Sequence, residues 1–477
     1  MSSSNFTFLF YDYETFGKNP SLDRPAQFAS LRTDLYFNIY DEEHIFYCKP
    51  ASDYLPQPEA VLLTGITPQK AITYGVTEAV FAKHIYGFFT KPQTCIVGYN
   101  NLQFDDEITR NIFYRNFYDP YSWSWQNHNS RWDLLNVMRA CYALRPEGIV
   151  WPKNNNGFPS FKLKDLTKAN NIIHRQQHDA MSDVYATKSL AKLVKNKQPK
   201  LFDFLFTYRN KKKLISLIDI TQMKPLVHIS SIFGASCGNT SWISPIAWHP
   251  NYRNILIIID LASDITELLA LKIDKLIEKI YTYSNSSKLD MYPKLPIKLV
   301  NINKCPIFIP ANILNLENAN RLNISRQHCL DNLNILLKCN KLRDKIINIC
   351  TAAAMKPCAY SDNVDTQLYN GFFSNTDRAK MQILRQTSPQ NLSDLNLKFE
   401  DQRISKLLFL YRARNFPKTL NINEQYYWQQ HRYKILNPKR MQTFFSEIES
   451  LKILYKTQKE KIFLLKELDS YAQTLLL

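Results

Sequence analysis

The chain has 477 residues, with 60 lysines and arginines against 42 aspartates and glutamates, a formal net charge of +18. Apolar residues at 45% exclude a disordered chain, and only 10 glycines exclude collagen-like or glycine-linker architectures. No apolar run approaches 18 residues, so no segment is expected to span a membrane.

At roughly 100–200 residues per domain, this length predicts about three domains. Met1 to Asn5 is polar and runs straight into an apolar segment, which is not a signal-peptide pattern. The 9 cysteines form no Cys-x-x-Cys pair. They point to free thiols in a reducing cytoplasm rather than to disulfides or structural zinc. A polyanionic partner is one reading of the charge; a lysine-rich, AT-biased genome is the other.

In chain order, Phe6–Glu14 alternates at period two and predicts a strand. Gln27–Arg32 and Tyr36–Ile39 read as the next strands, with Thr33 and Asp34 in the turn. Thr67 before Pro68 reads as a helix N-cap. Ile96–Asn100 is a short strand, and a helix follows Asp179. Beyond Gln198–Pro199, β-branched runs at Leu226–Ile232, Ile255–Ile259 and Ile297–Ile302 predict a mixed domain with helices at Leu268–Tyr281 and Asp331–Ile349. The remainder reads as helical, including Gln402–Arg412 and Met441–Leu475. The predicted domains are 1–198, 199–354 and 355–477.

Three short segments carry chemistry. In Asp12-Tyr-Glu14 the two carboxylates are i and i+2 on a strand, so they share a face. Two carboxylates brought together repel unless a cation neutralises them, and hard oxygen ligands suit Mg²⁺ or Mn²⁺. A solvated strand end is the plainer reading of that pair alone. Asn101-Leu-Gln-Phe-Asp105 places an aspartate where a strand gives way to a helix. Asp106 and Glu107 beside it suit the first helical turn and its dipole. In His178-Asp-Ala-Met-Ser-Asp183, Asp179 is a natural N-cap and Asp183 stands one turn inside the helix.

In this order, on an α/β pattern, the three segments resemble the exonuclease motifs of the DEDD superfamily, histidine branch. The likeness extends to Leu22-Asp-Arg-Pro-Ala-Gln-Phe-Ala, Leu63-Thr-Gly-Ile-Thr-Pro-Gln, Gly238-Asn-Thr-Ser-Trp, Ser361-Asp-Asn-Val-Asp and Tyr411-Arg-Ala-Arg-Asn-Phe-Pro. Across nearly the full chain these strings resemble the bacterial exodeoxyribonuclease I family. The resemblance implies an α/β, ribonuclease H-like exonuclease domain, an SH3-like β-barrel domain with helical additions, and an all-helical C-terminal domain. It implies processive 3′→5′ hydrolysis of single-stranded DNA to 5′-mononucleotides, in repair and recombination, by a monomer. Asp12, Glu14, Asp105 and Asp183 would hold two Mg²⁺ ions, with Mn²⁺ able to substitute, and His178 would be the general base.

The same likeness favours Arg110, Tyr121, Trp125, Arg139 and Lys162 as strand contacts, with Glu14 also facing the substrate; Lys211 is a candidate because it lies in the basic run Tyr208–Lys213 just past the first boundary. Rings that stack bases and cations that pair phosphates hold a strand without reading its sequence. For each of these residues, a core ring or a solvated cation is the plainer alternative. Phe204 reads more readily as a core ring than as a wall for a partner. Arg145 is the candidate for docking the acidic C-terminal tail of single-stranded DNA-binding protein. An exoribonuclease and a catalytically inactive strand-binding scaffold remain open as rivals. The charge is divided unevenly: residues 1–108 carry net −6, residues 109–198 net +8, and the rest net +16. An acidic cation site within a basic surround fits a phosphodiester substrate.

Overall fold

The computed structural model describes residues 6–174, 179–278, 295–352 and 361–476. The chain forms two compact units. One comprises Met1–Arg131, Ile173–Lys188 and Tyr360–Leu477; the other comprises Trp132–Ile172 and Ser189–Ala359.

In the first unit, β1 (Thr7–Thr15) pairs antiparallel with β2 (Pro25–Thr33), and β2 pairs with β3 (His44–Tyr47). On its other side β1 runs parallel to β4 (Thr94–Gly98). With β5 (Ser130–Asp133) the sheet order is β3-β2-β1-β4-β5. The alternation of β1 is real. Leu9, Tyr11 and Tyr13 pack with Phe28, Phe81, Ile85, Ile108 and Ile112 in one core cluster. Those partners come from the helices Glu78–Phe89 and Asp105–Arg115 and from β2. With the odd positions committed to that core, Asp12 and Glu14 are left to the opposite face. The β1–β2 register shifts between Glu14 and Thr15, an irregularity of the kind that re-aims side chains at strand ends.

Thr67 caps the helix Pro68–Tyr74 as expected, its hydroxyl accepting from Lys70 N at 3.1 Å. Tyr36–Ile39 is not a strand. Asp34 Oδ1 accepts from the backbone N–H of Tyr36 and of Asn38, and Phe37 takes a positive φ of 66°. This tight aspartate-held loop leaves Ile39 only an isolated antiparallel bridge to Thr33, and the third strand forms later, at His44.

The C-terminal helices of this unit wrap their own core. Met441–Leu475 is not one helix but two, Pro438–Leu454 and Lys459–Thr474. A single rod would leave its apolar stripe without a partner. Folding back brings Phe444 and Ile448 into one cluster with Leu465 and Leu468.

The second unit holds an antiparallel sheet, order β10-β6-β7-β8-β9. Its strands are β6 (Leu226–Ile229), β7 (Thr240–Trp248), β8 (Ile255–Asp260), β9 (Ile297–Asn301) and β10 (Ile307–Pro310). Leu226, Ile243, Leu256, Ile258, Val300 and Phe308 form its core. Asp331–Ile349 divides between the helices Arg326–Lys338 and Asn340–Ala352, separated by Cys339 in a non-helical conformation. The expected Leu268–Tyr281 helix begins earlier, as Thr266–Ala270, breaks at 271–272 and resumes over 273–278, and its last three positions lie outside the described residues. No helix among the described residues is long and apolar enough to cross a membrane.

Candidate active site

Asp12, Glu14 and Asp183 each offer an oxygen to a group whose atoms lie within 4.8 Å of one another. β1 supplies the first two. The helix Ala180–Lys197 supplies Asp183 from its first turn, where Asp179 Oδ2 accepts from Ser182 N at 3.1 Å as a cap. Gln27 sits opposite Glu14 on β2 and is 2% exposed. Its Oε1 accepts from Ala180 N at 3.3 Å, so this buried amide ties the strand to the start of the Asp183 helix.

The electrostatics are those of a site suited to a cation. Burial, then the charges of Asp105, Glu14, Asp183 and Asp179, hold the Asp12 carboxyl well above the usual carboxylate range. Burial, then Asp183, Asp105 and Asp179, push Glu14 up to about 8. Asp105 is buried at the first position of the helix Asp105–Arg115 and acts on both residues through space. Oxygen donors this close and this mutually repulsive fit a divalent cation, which would reverse the penalty.

Asp106 stands in the first helical turn, as expected, and also has a structural role. It is 0% exposed. Tyr11 Oη donates to its Oδ1 at 2.6 Å, Asn101 Nδ2 donates at 3.1 Å, and Arg131 pairs with its other oxygen. Thr109 Oγ1 donates to Tyr13 Oη at 3.1 Å. Both odd tyrosines of β1 are thus bolted to the helix that carries Asp105. Tyr11→Phe keeps the ring and removes the donor to a charged acceptor. It is expected to cost about 1.5–3 kcal/mol, read from urea unfolding.

His178 lies outside the described residues. Another imidazole, His174, faces the site, with Nε2 2.5 Å from Asp183 Oδ1. Sequence reasoning passed over His174 and Gln27 as site residues and saw in Asp106 only a dipole partner. Gln27 left one local signal, a polar residue inside an apolar strand in register with Glu14.

Among the rings that stand between residues 114 and 125, Tyr114, Phe117 and Trp123 are core rings, whereas Trp125 is 66% exposed. Tyr121 is half-buried beneath Arg110, whose guanidinium lies 5.7 Å from the ring centroid. Arg110 also pairs with Glu107 at 2.5 Å. Arg115 is buried and committed to Glu78 at 2.9 Å.

The remaining predicted contacts stand in the second unit. Arg139 Nη1 donates to Asn136 Oδ1 at 3.0 Å. Lys162 is exposed before the helix Leu163–Ala169 and lines an open pocket with Lys153, Ser160 and Lys168. Lys211 Nζ donates to Asn254 and Asn303 at 2.5 and 2.8 Å. Arg145 donates to the carbonyls of Leu144 and Ile313. Phe204 packs half-buried against Tyr208, ring centroids 4.4 Å apart.

Three family models match the chain: Exonuclease over residues 9–191, Exonuclease I SH3-like domain over 209–351, and Exonuclease I C-terminal domain over 362–475. Exodeoxyribonuclease I of Escherichia coli K12 is 60% identical over 98% of both chains. The solved zinc-bound form of the E. coli exonuclease I–single-stranded DNA complex is similar at TM-score 0.94 and 58% identity, covering 99% of this chain and 100% of that one. A solved complex of exonuclease I with SSB-Ct is similar at TM-score 0.93 and 59% identity, covering 98% and 99%.

Proposed function

We propose, because the chain belongs to the exodeoxyribonuclease I family, that it hydrolyses single-stranded DNA processively from the 3′ end and releases 5′-mononucleotides. The observation that carries this reading is the convergence of Asp12, Glu14 and Asp183 within 4.8 Å on the face that β1 leaves free. Its organisation is an α/β exonuclease domain, an SH3-like domain and a helical C-terminal domain. We assign them residues 1–198, 199–354 and 355–477.

Asp12, Glu14, Asp105 and Asp183 would hold two Mg²⁺ ions, or Mn²⁺ in their place. When bound, such ions supply Lewis-acid polarisation and charge neutralisation to in-line phosphodiester hydrolysis. The chain's own residues do the rest. His178 takes a proton from the attacking water, for which a neutral imidazole is suited near physiological pH. Arg110, Arg139, Lys162 and Lys211 pair with phosphates. Tyr121 and Trp125 stack bases, and the exposure of Trp125 leaves its face available. Arg145 receives the acidic tail of single-stranded DNA-binding protein through a forked guanidinium. The enzyme works in the cytoplasm as a monomer, in repair and recombination.

End-labelled DNA and RNA oligomers, single- and double-stranded, test the reading directly. Single-stranded DNA is expected to shorten from its 3′ end to mononucleotides with Mg²⁺ and to persist with a chelator, while RNA persists throughout. Efficient RNA degradation beside intact DNA would reverse the substrate assignment.

A further inference from the structure

The imidazole of His174 is 6% exposed and the Asp183 carboxylate 19%. The Nε2–Oδ1 separation is 2.5 Å, across nine residues of sequence. A carboxylate oxygen accepts, so Nε2 carries the hydrogen, which sets the tautomer of the ring. The helix Ala180–Lys197 fixes the Cα of Asp183 but not its terminal torsion, which is broad for an aspartate. A hydrogen bond to one oxygen removes that freedom. It sets the plane of the carboxylate before any cation arrives.

We infer that His174 is a positioning residue that pre-orients Asp183 toward Asp12 and Glu14 for cation binding. This rests on the reading of Asp183 as a metal ligand. Hydrogen-bond partners of ligating carboxylates orient the first layer of ligands, and their loss characteristically costs about 10–100-fold in metal affinity. Among the described residues, His174 is such a partner, held on a segment separate from β1 and from the Asp105 helix. It touches the ligand and need not touch substrate.

The test is Mn²⁺ binding to the full-length protein without DNA, with free Mn²⁺ followed by electron paramagnetic resonance. His174→Ala is expected to weaken Mn²⁺ binding about 10–100-fold. His174→Gln, whose amide N–H can reach the place of Nε2, is expected to recover most of the affinity. His174→Phe fills the same volume without the donor and is expected not to recover it. If His174→Ala fails to fold, the Gln and Phe variants decide alone: equal affinity in those two overturns the inference. Asp183→Asn separates this inference from the reading beneath it. Loss of binding in Asp183→Asn with none in the His174→Ala and His174→Phe variants overturns the role of His174 alone. Undiminished binding in Asp183→Asn as well overturns the metal site itself.

Discussion

Glu14→Gln is expected to lower kcat on single-stranded DNA by on the order of 10³-fold or more and, in metal-free protein, to flatten the dependence of stability on pH. The amide keeps the shape of the side chain and removes the charge. Without that charge the site loses one oxygen donor able to neutralise a divalent cation. The stability effect follows from the same atoms. Burial and the facing carboxylates of Asp183 and Asp105 lift Glu14 from 4.5 to about 8 in the folded chain. Between those values the unfolded chain has already lost a proton that the folded chain keeps. Stability therefore falls as pH rises through this window, by up to about 1.4 kcal/mol per pH unit from this group. A bound divalent cation favours the ionised form and cancels that slope. Urea unfolding from about pH 5 to about pH 8, with chelator and with Mg²⁺, reads the effect in wild type and variant. Normal turnover by Glu14→Gln would remove Glu14 from the site. Identical slopes in the two metal-free proteins would mean that its carboxyl is not destabilised there.

What could be read from the sequence was whatever local periodicity decides. Asp12 and Glu14 share a face because strands alternate, and Tyr11 and Tyr13 confirm the alternation by packing on the other side. Asp179 caps its helix because aspartate before an apolar helical pattern has a local reason to do so. Periodicity failed where an apolar stripe resumes after a break, as between Leu454 and Lys459, because spacing records a face and not its continuity. It failed again at Asp106, whose partner Arg131 stands 25 residues away. Nothing adjacent to an aspartate says whether it is solvated by water or neutralised by a distant arginine. The convergence of Asp183 on β1 is also long-range. Only the likeness of ordered motifs suggested it, and the physical link at Gln27 became visible in the fold.

The same limit hid the ionic cluster that joins the two ends of the chain within the first unit, and removing Asp365 from it is expected to cost about 3–5 kcal/mol. Asp365 accepts from Arg24 Nη2 at 2.7 Å and from Arg414 Nη1 and Nη2 at 2.9 and 2.8 Å. Arg414 also donates to Asp53 Oδ2, from Nε at 3.0 Å and Nη2 at 2.8 Å, and His431 stands 3.2 Å from the same oxygen. Arg24, Asp53 and Asp365 are all buried. Three of the strings that gave the chain its family likeness contain Arg24, Asp365 and Arg414, so those strings mark a clasp as well as chemistry. In Asp365→Ala the two guanidiniums would remain largely buried and would face each other without the carboxylate they share, with Glu78 and Asp53 the remaining negative neighbours. An uncompensated buried charge is costly, whereas a buried pair replaced as a whole by apolar groups is often close to neutral. Arg24→Met with Asp365→Leu should therefore recover much of the loss, a non-additivity readable as a coupling of about 1 kcal/mol or more. The neighbouring guanidiniums hold the Asp365 and Asp53 carboxyls well below the usual carboxylate range, against the opposing effect of burial. Their contribution is thus complete above the ordinary aspartate value of 3.8 and disappears as pH falls below it. Wild type should lose stability more steeply than Asp365→Ala on acidification from there. Urea unfolding at neutral and acid pH measures both effects. A loss under about 1 kcal/mol in Asp365→Ala would mean that water or a shifted side chain replaces the missing carboxylate.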